Sequence, residues 1–125
     1  MILVFGKTGQ VGTELQCLEG VIALGRDDVD FFDPHDCANA IKQYLPKVVI
    51  NAAAYTAVDN AEDEEGLATV INGNTPIAIA RACAALGIPI VHISPDYVFA
   101  GTGRTPWLPN DPTAPQNAYG RSRLV

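Results

Sequence analysis

The sequence predicts an α/β fold, a doubly wound parallel sheet whose strands are joined by crossover helices. Four short apolar runs, at 2–5, 21–24, 47–50 and 88–93, are separated by stretches of helical pattern, and strands alternating with helices at these lengths are the mark of parallel strands. The runs are continuous rather than alternating, as expected of strands covered on both faces. A glycine-rich turn, Gly6-Lys7-Thr8-Gly9-Gln10-Val11-Gly12, lies directly between the first run and the first helical stretch.

Each element follows from its residues. Ile2-Leu3-Val4-Phe5, ended by Gly6, is the first strand. From Gln10 to Leu18, Val11, Leu15 and Leu18 fall at helical spacing, and Gly20 stands where a C-terminal glycine is expected. Val21 to Leu24 is the second strand. Asp33-Pro34 marks the start of a helix that runs to about Leu45. Lys47 to Ile50 is the third strand, followed by a loop over 51–60. The alanine-rich stretch 61–86 is helical, bent or split by Gly73 and Pro76. Ile88 to Ile93 is the fourth strand, with Pro89 tolerable only near its beginning. Prolines at 95, 106, 109, 112 and 115 then spread through a long irregular loop, and such loops are more often functional than decorative. A last helix starts near Asn117 and is cut off after Val125, so the chain is expected to be a fragment.

Composition narrows the function classes. The 125 residues suit one domain, and the net charge of −6 argues against a nucleic-acid or anionic-membrane surface, which needs a basic face. Ten acids between Asp27 and Glu65 face only Lys42 and Lys47, whereas Arg104, Arg121 and Arg123 outnumber Asp96 and Asp111 in the last thirty residues. An anionic small ligand therefore fits best near Lys7 or the C-terminal third. No apolar run approaches a membrane span, and the N-terminus has no signal-peptide pattern, so a cytoplasmic location is expected. Cys17, Cys37 and Cys83 are widely spaced and odd in number, which signals neither a disulfide framework nor zinc and reads as reduced, mostly buried thiols.

The turn Gly6–Gly12 is G-x-x-G-x-x-G. Glycines there allow a tight turn and close approach of backbone to a pyrophosphate, which the start of the following helix would hold. Such patterns also arise by chance, but a strand before and a helix after make this one a dinucleotide signal and the fold Rossmann-type. Gly6, Lys7, Gly9, Gln10, Val11 and Gly12 are the candidate cofactor residues. At the end of the second strand an acid would hold a ribose 2′-hydroxyl, and an arginine a 2′-phosphate. Gly25-Arg26 stands there, so Arg26, with Lys7, favours NADPH over NADH unless it is a plain surface arginine or the neighbouring Asp27 and Asp28 offset it. Asp30 either passes the adenine or serves only its turn.

The segments Asn51-Ala52-Ala53-Ala54-Tyr55-Thr56-Ala57-Val58-Asp59 and Ser94-Pro95-Asp96-Tyr97-Val98-Phe99, with Tyr119-Gly120-Arg121-Ser122-Arg123, resemble the dTDP-4-dehydrorhamnose reductase family of extended short-chain dehydrogenases/reductases. The resemblance implies a Rossmann domain over 1–125 and a smaller domain, absent from this chain, that grips a nucleotide sugar. It also implies reduction of a 4-keto group on a dTDP-linked deoxyhexose in dTDP-L-rhamnose formation, Ala52, Ala53 and Ala54 beside the cofactor, and room for a homodimer in the full-length protein.

Hydride arriving at a carbonyl needs a proton donor and donors for the alkoxide. A tyrosine serves if a cation lowers its pKa, and residues 119 and 123 lie on one helical face. The family places Tyr and Lys at this spacing, with a Thr or Ser hydroxyl after the fourth strand. Here Tyr119 is kept, Arg123 replaces the lysine, and Pro95 occupies the hydroxyl position. Ser94 is either a substitute donor or an ordinary strand-end serine. These departures favour a rival reading, a non-catalytic nucleotide-binding or regulatory module of the same fold. Of the remaining residues, His92 reads as a core histidine, His35 as a first-turn helix residue and Asp59, Glu62, Asp63, Glu64 and Glu65 as a solvated helix start. Trp107 either stacks on a ligand base or tethers its own loop.

Overall fold

The computed structural model describes residues 1–54, 58–93, 106, 108–109, 112–115 and 117–122, with the side chains of 58 and 59 left out. Four strands form one parallel sheet in the order β2-β1-β3-β4, with β1 at Ile2–Phe5, β2 at Val21–Leu24, β3 at Val48–Asn51 and β4 at Ile90–His92. Between them run α1 (Gln10–Leu15), α2 (Pro34–Tyr44), α3 (Val58–Ala61), α4 (Glu65–Thr69), a π-helical turn (Val70–Asn74) and α5 (Thr75–Leu86); α6 (Ala118–Ser122) follows. The expected α/β, Rossmann-type doubly wound sheet is the fold found.

Local chemistry sets the boundaries. The Asp33 carboxylate accepts from the His35 backbone N–H at 3.0 Å, and with Pro34 in the first turn this starts α2 where the sequence places it. Pro46 disfavours helical backbone at Leu45, which turns left-handed at φ 48° and closes α2. Two elements are shorter than expected. Helix α1 ends at Leu15 rather than Leu18, because residues 16–20 turn back to lead Gly20, at φ 78°, into β2. Strand β4 begins only at Ile90, since Pro89 has no N–H to give the ladder and contributes its carbonyl, which accepts from Val49 at 3.0 Å. The expected break in 61–86 is the π-helical turn. Pro76 cannot donate to the carbonyl four residues back, and the Thr75 N–H reaches five residues back to Val70.

One face of the sheet carries the main core. Leu3, Phe5, Leu24 and Val49 pack with Cys37, Ala40 and Ile41 of α2 and Ile79, Ala82 and Cys83 of α5. Phe5, Leu3, Ile41 and Ile79 are the largest of these almost wholly removed from water, each worth roughly 1.5–3 kcal/mol. Phe31, in the loop after β2, stands edge-on to Phe5 at 6.2 Å. A second, small cluster of Ala61, Ala68, Ala118 and Tyr119 joins α3 and α4 to α6. The thiols divide, since Cys37 and Cys83 are buried but Cys17 is exposed.

Candidate functional site

Parallel register brings the C-terminal ends of the strands to one edge, where Phe5 pairs with Leu24 and Asn51, and Asn51 with His92. The chain leaves β1 toward β2 on one side while β3 lies on the other, and the crevice at such a reversal is where doubly wound sheets bind ligands. The glycine turn enters this crevice. Lys7 N–H donates to the Leu24 carbonyl at 3.2 Å, and the Lys7 carbonyl accepts from Gln16 Nε2 at 3.0 Å, so the turn is held from both sides.

The three glycines have separable reasons. At Gly6, φ is 106°, and a Cβ would lie 2.7 Å from the backbone of Ala52 and Ala53; at Gly12 a Cβ would lie 1.8 Å from the Gly6 carbonyl oxygen. Both are demanded by the fold. Gly9 is not, as far as the described residues go: its backbone is ordinary extended chain (φ −74°, ψ 172°), and the nearest of their atoms to an added Cβ is 3.7 Å away. A glycine that the fold does not require, on the wall of a crevice, leaves space for something outside the chain.

That crevice has about 520 Å³ and is lined by Thr8, Gly9, Gln10 and Val11 of the turn, Asn51, Ala52, Ala53 and Ala54 at the exit of β3, and Ile93 and Tyr119. Volume and mixed lining are those of a small-molecule site. Ala54 also lines a second hollow of about 350 Å³, formed with Arg26, Val29, Asp30, Phe31, Phe32, Leu67 and Ile71. The two hollows thus adjoin at Ala54, and the far one is largely apolar, with Arg26 and Asp30 as its charged residues among those described. The Lys7 side chain lies against Gly25, 3.4 Å from where a Cβ would stand, and Gly25 directly precedes the Arg26 of the second hollow. The Asp28 carboxylate lies at the same turn, where it accepts the Gly25 N–H at 2.8 Å. Asp30 is a turn residue as well as a lining one; its Oδ1 accepts from Phe32 N–H at 2.9 Å, and its own N–H donates to Asp36 at 2.8 Å.

Tyr119 reaches the first hollow on α6, whose described residues are Ala118–Ser122. Its placement is tertiary. The Glu62 carboxylate accepts the Ala118 N–H at 3.0 Å, and Glu65 pairs with Arg121 at 2.7 Å. The second contact joins half-exposed groups and is worth about 0–1 kcal/mol. Residues 62–65 are exposed and Glu65 opens α4, as expected of a solvated helix start, and two of the acids, Glu62 and Glu65, also hold the tyrosine-bearing helix. A sequence-level signal existed only in hindsight, in acids placed more than fifty residues from their partners.

His92 also corrects its expectation. It is exposed, not core, because β4 is the edge strand among the described residues, and its Nδ1 lies 3.2 Å from Asn51 Nδ2. Asn51 is buried, and its Oδ1 accepts from Ala53 N–H at 3.2 Å, which fixes the Ala52–Ala54 wall. His35 is the first-turn residue expected. Ser94, Pro95, Trp107 and Arg123 lie outside the described residues. Among the described residues, no group of three or more His, Cys, Asp or Glu could hold a metal ion, and no helix is long and apolar enough to cross a membrane.

Comparison with known proteins supplies an independent line. A dTDP-4-dehydrorhamnose reductase of Shigella flexneri is 47% identical over 132 residues, which take in 99% of this chain and 44% of that protein. The crystal structure of a Clostridium acetobutylicum dTDP-4-dehydrorhamnose reductase superposes with a TM-score of 0.91 at 40% identity, covering 98% of this chain and 46% of that one. A Bacillus anthracis dTDP-4-dehydrorhamnose reductase, solved in complex with NADP, gives 0.92 at 32% identity over the same shares. The chain thus spans just under half the length of these relatives. The family model described as RmlD substrate binding domain matches residues 1–125, and the chain belongs to that family.

Proposed function

We propose that residues 1–125 are the NAD(P)-binding domain of a reductase that reduces the 4-keto group of a dTDP-linked deoxyhexose, with NADPH preferred and NADH accepted. The observation that carries this reading is Gly9, a glycine without a close neighbour among the described residues, in a crevice that it lines together with Tyr119 and that shares Ala54 with the hollow of Arg26. The relatives named as dTDP-4-dehydrorhamnose reductases, one of them holding NADP, support it. Although the family description names substrate binding, the pair of hollows in this chain suits the cofactor, and we assign the grip on the nucleotide sugar to parts of the relatives that this chain does not span. A cytoplasmic location and a homodimer of the full-length protein belong to the same reading.

The bound nicotinamide would supply hydride. The residues of the chain do the rest. Gly6, Gly9 and Gly12 let the backbone approach the pyrophosphate, with Lys7, Gln10 and Val11 around it. Arg26 and Lys7 supply positive charge for a 2′-phosphate, Asp30 and the apolar hollow take the adenine, and Ala52, Ala53 and Ala54 form a wall without polar groups. Tyr119 Oη gives a proton to the developing alkoxide, and Arg123 and Ser94 are assigned, from sequence spacing, the cation and the supporting hydroxyl.

Arg123 and Pro95 favour a second reading, a non-catalytic or regulatory nucleotide-binding module. A guanidinium is a broad planar cation, unlike a compact ammonium, and proline offers neither hydroxyl nor N–H. Calorimetric titration with NADPH and steady-state NADPH oxidation with a dTDP-4-keto sugar, the latter on a protein of the relatives' length carrying these residues, separate the readings. Binding with turnover supports the reductase, binding without turnover supports the module, and no binding refutes both.

A further inference from the structure

We propose that Asn72, held in the π-helical turn, is a positioning residue for Tyr119; the inference rests on the reading of Tyr119 as proton donor. Asn72 is almost wholly buried, at 1% exposure, and its Nδ2 donates to Ser122 Oγ at 2.9 Å. Ser122 is itself fully buried, and its Oγ donates to the Tyr119 carbonyl at 2.6 Å. A two-bond relay thus runs from the turn, through one hydroxyl, to the backbone of the tyrosine that lines the crevice with Gly9.

The widened turn explains how Asn72 reaches that place. In a regular α-helix, residues three apart share a face. Here the helix opens between Val70 and Asn74, and Asn72 and Thr75 serve different partners. Asn72 turns to α6, while Thr75 Oγ1 donates to the Phe31 carbonyl at 2.7 Å. Phe31 lines the Arg26 hollow, as does Ile71 from the turn itself. One widened turn is therefore tied to both hollows. Such turns inside α-helices recur at functional sites, and buried side-chain networks of this kind specify one arrangement only when fully satisfied. Glu62 holds α6 at the Ala118 N–H and Glu65 at the exposed Arg121; Asn72 and Ser122 hold it from within, at the carbonyl of Tyr119.

The test uses Asn72→Ala, Ser122→Ala, their double variant and Ser122→Thr in a protein of the relatives' length carrying these residues. Expected is a fall in kcat of about tenfold or more for each single alanine variant, since small misplacements of a reacting group have effects of that order. The NADPH KM should stay within about twofold. The double variant should be no worse than either single, and Ser122→Thr should recover most of the rate. Parental kcat per folded molecule in Asn72→Ala, or losses that multiply in the double variant, overturn the proposal. Should Asn72→Ala not fold, Ser122→Ala, which removes a single oxygen, carries the test. If the parent shows no turnover, the reductase reading fails separately, and the relay is read from the 13Cζ resonance of Tyr119 in the labelled 125-residue chain with NADPH, assigned through Tyr119→Phe. A displaced resonance in Ser122→Ala supports the relay, and an unchanged one refutes it.

Discussion

Replacing the three turn glycines one at a time by alanine separates what the fold needs from what a ligand needs. In Gly12→Ala the new methyl would stand 1.8 Å from the Gly6 carbonyl oxygen and 2.7 Å from its carbon, both backbone atoms that no rotamer change can clear. The turn must move by more than an ångström, and overpacking of this kind costs typically 1–3 kcal/mol. In Gly6→Ala a left-handed φ of 106° adds roughly 1–2 kcal/mol to contacts of 2.7–2.8 Å with Ala52 and Ala53. In Gly9→Ala the methyl meets nothing among the described residues closer than 3.7 Å at an ordinary φ, and loss of unfolded-state freedom should leave the protein unchanged or stabilised by about 0.4–1 kcal/mol. At roughly 2–8 °C per kcal/mol for a domain of this size class, thermal melts by circular dichroism resolve these differences. Calorimetry with NADPH supplies the second axis. Gly6→Ala and Gly12→Ala should melt several degrees lower, whereas Gly9→Ala should melt at or above the parent and yet lose NADPH affinity, and Gly9→Val should abolish it. A Gly9→Ala protein that binds NADPH like the parent would remove the turn from the binding site, and a Gly12→Ala protein with parental melting would refute the turn geometry.

Three further outcomes are expected. Arg26→Ala should weaken NADPH about tenfold or more, the loss of a charge-assisted contact, while NADH changes less than about twofold in the same titration; a parallel loss of both would make Arg26 a residue of the fold. Burial, helped by the neighbouring Asp36, Asp30 and Asp33, pushes the Cys37 thiol from 9.0 up to about 12. The folded state therefore favours the protonated thiol. Its contribution is fully present below about pH 9 and is lost as pH rises toward 12, at up to about 1.4 kcal/mol per pH unit. Urea melts across that range should show a steeper decline for the parent than for Cys37→Ala, and equal slopes would contradict the assignment. Finally, in a protein of the relatives' length, Pro95→Thr alone should raise turnover little while Arg123 remains. Pro95→Thr with Arg123→Lys should exceed the product of the singles, because groups acting as a unit are not additive; full activity in the unaltered protein would show that Ser94 and Arg123 suffice.

The alternation of apolar runs and the spacing Gly6, Gly9, Gly12 were enough to determine a doubly wound sheet with a dinucleotide-type turn, because backbone periodicity and glycine geometry are local properties written in neighbouring residues. The same locality made α2 readable from Asp33 and Pro34, and the break near Gly73 and Pro76 readable from a missing N–H. It did not reach further. That Gly6 and Gly12 serve the packing while Gly9 faces a crevice depends on where Ala52 lies. That Glu62 and Glu65 hold α6, and that Asn72 meets Ser122 fifty residues away, depends on how α4, the π-helical turn and α6 come together. His92 looked like core among apolar neighbours and is exposed because its strand is the edge one among the described residues. Strand order, burial and long-range pairing are set by which faces meet once the chain closes on itself, and single-sequence patterns carry no record of that choice.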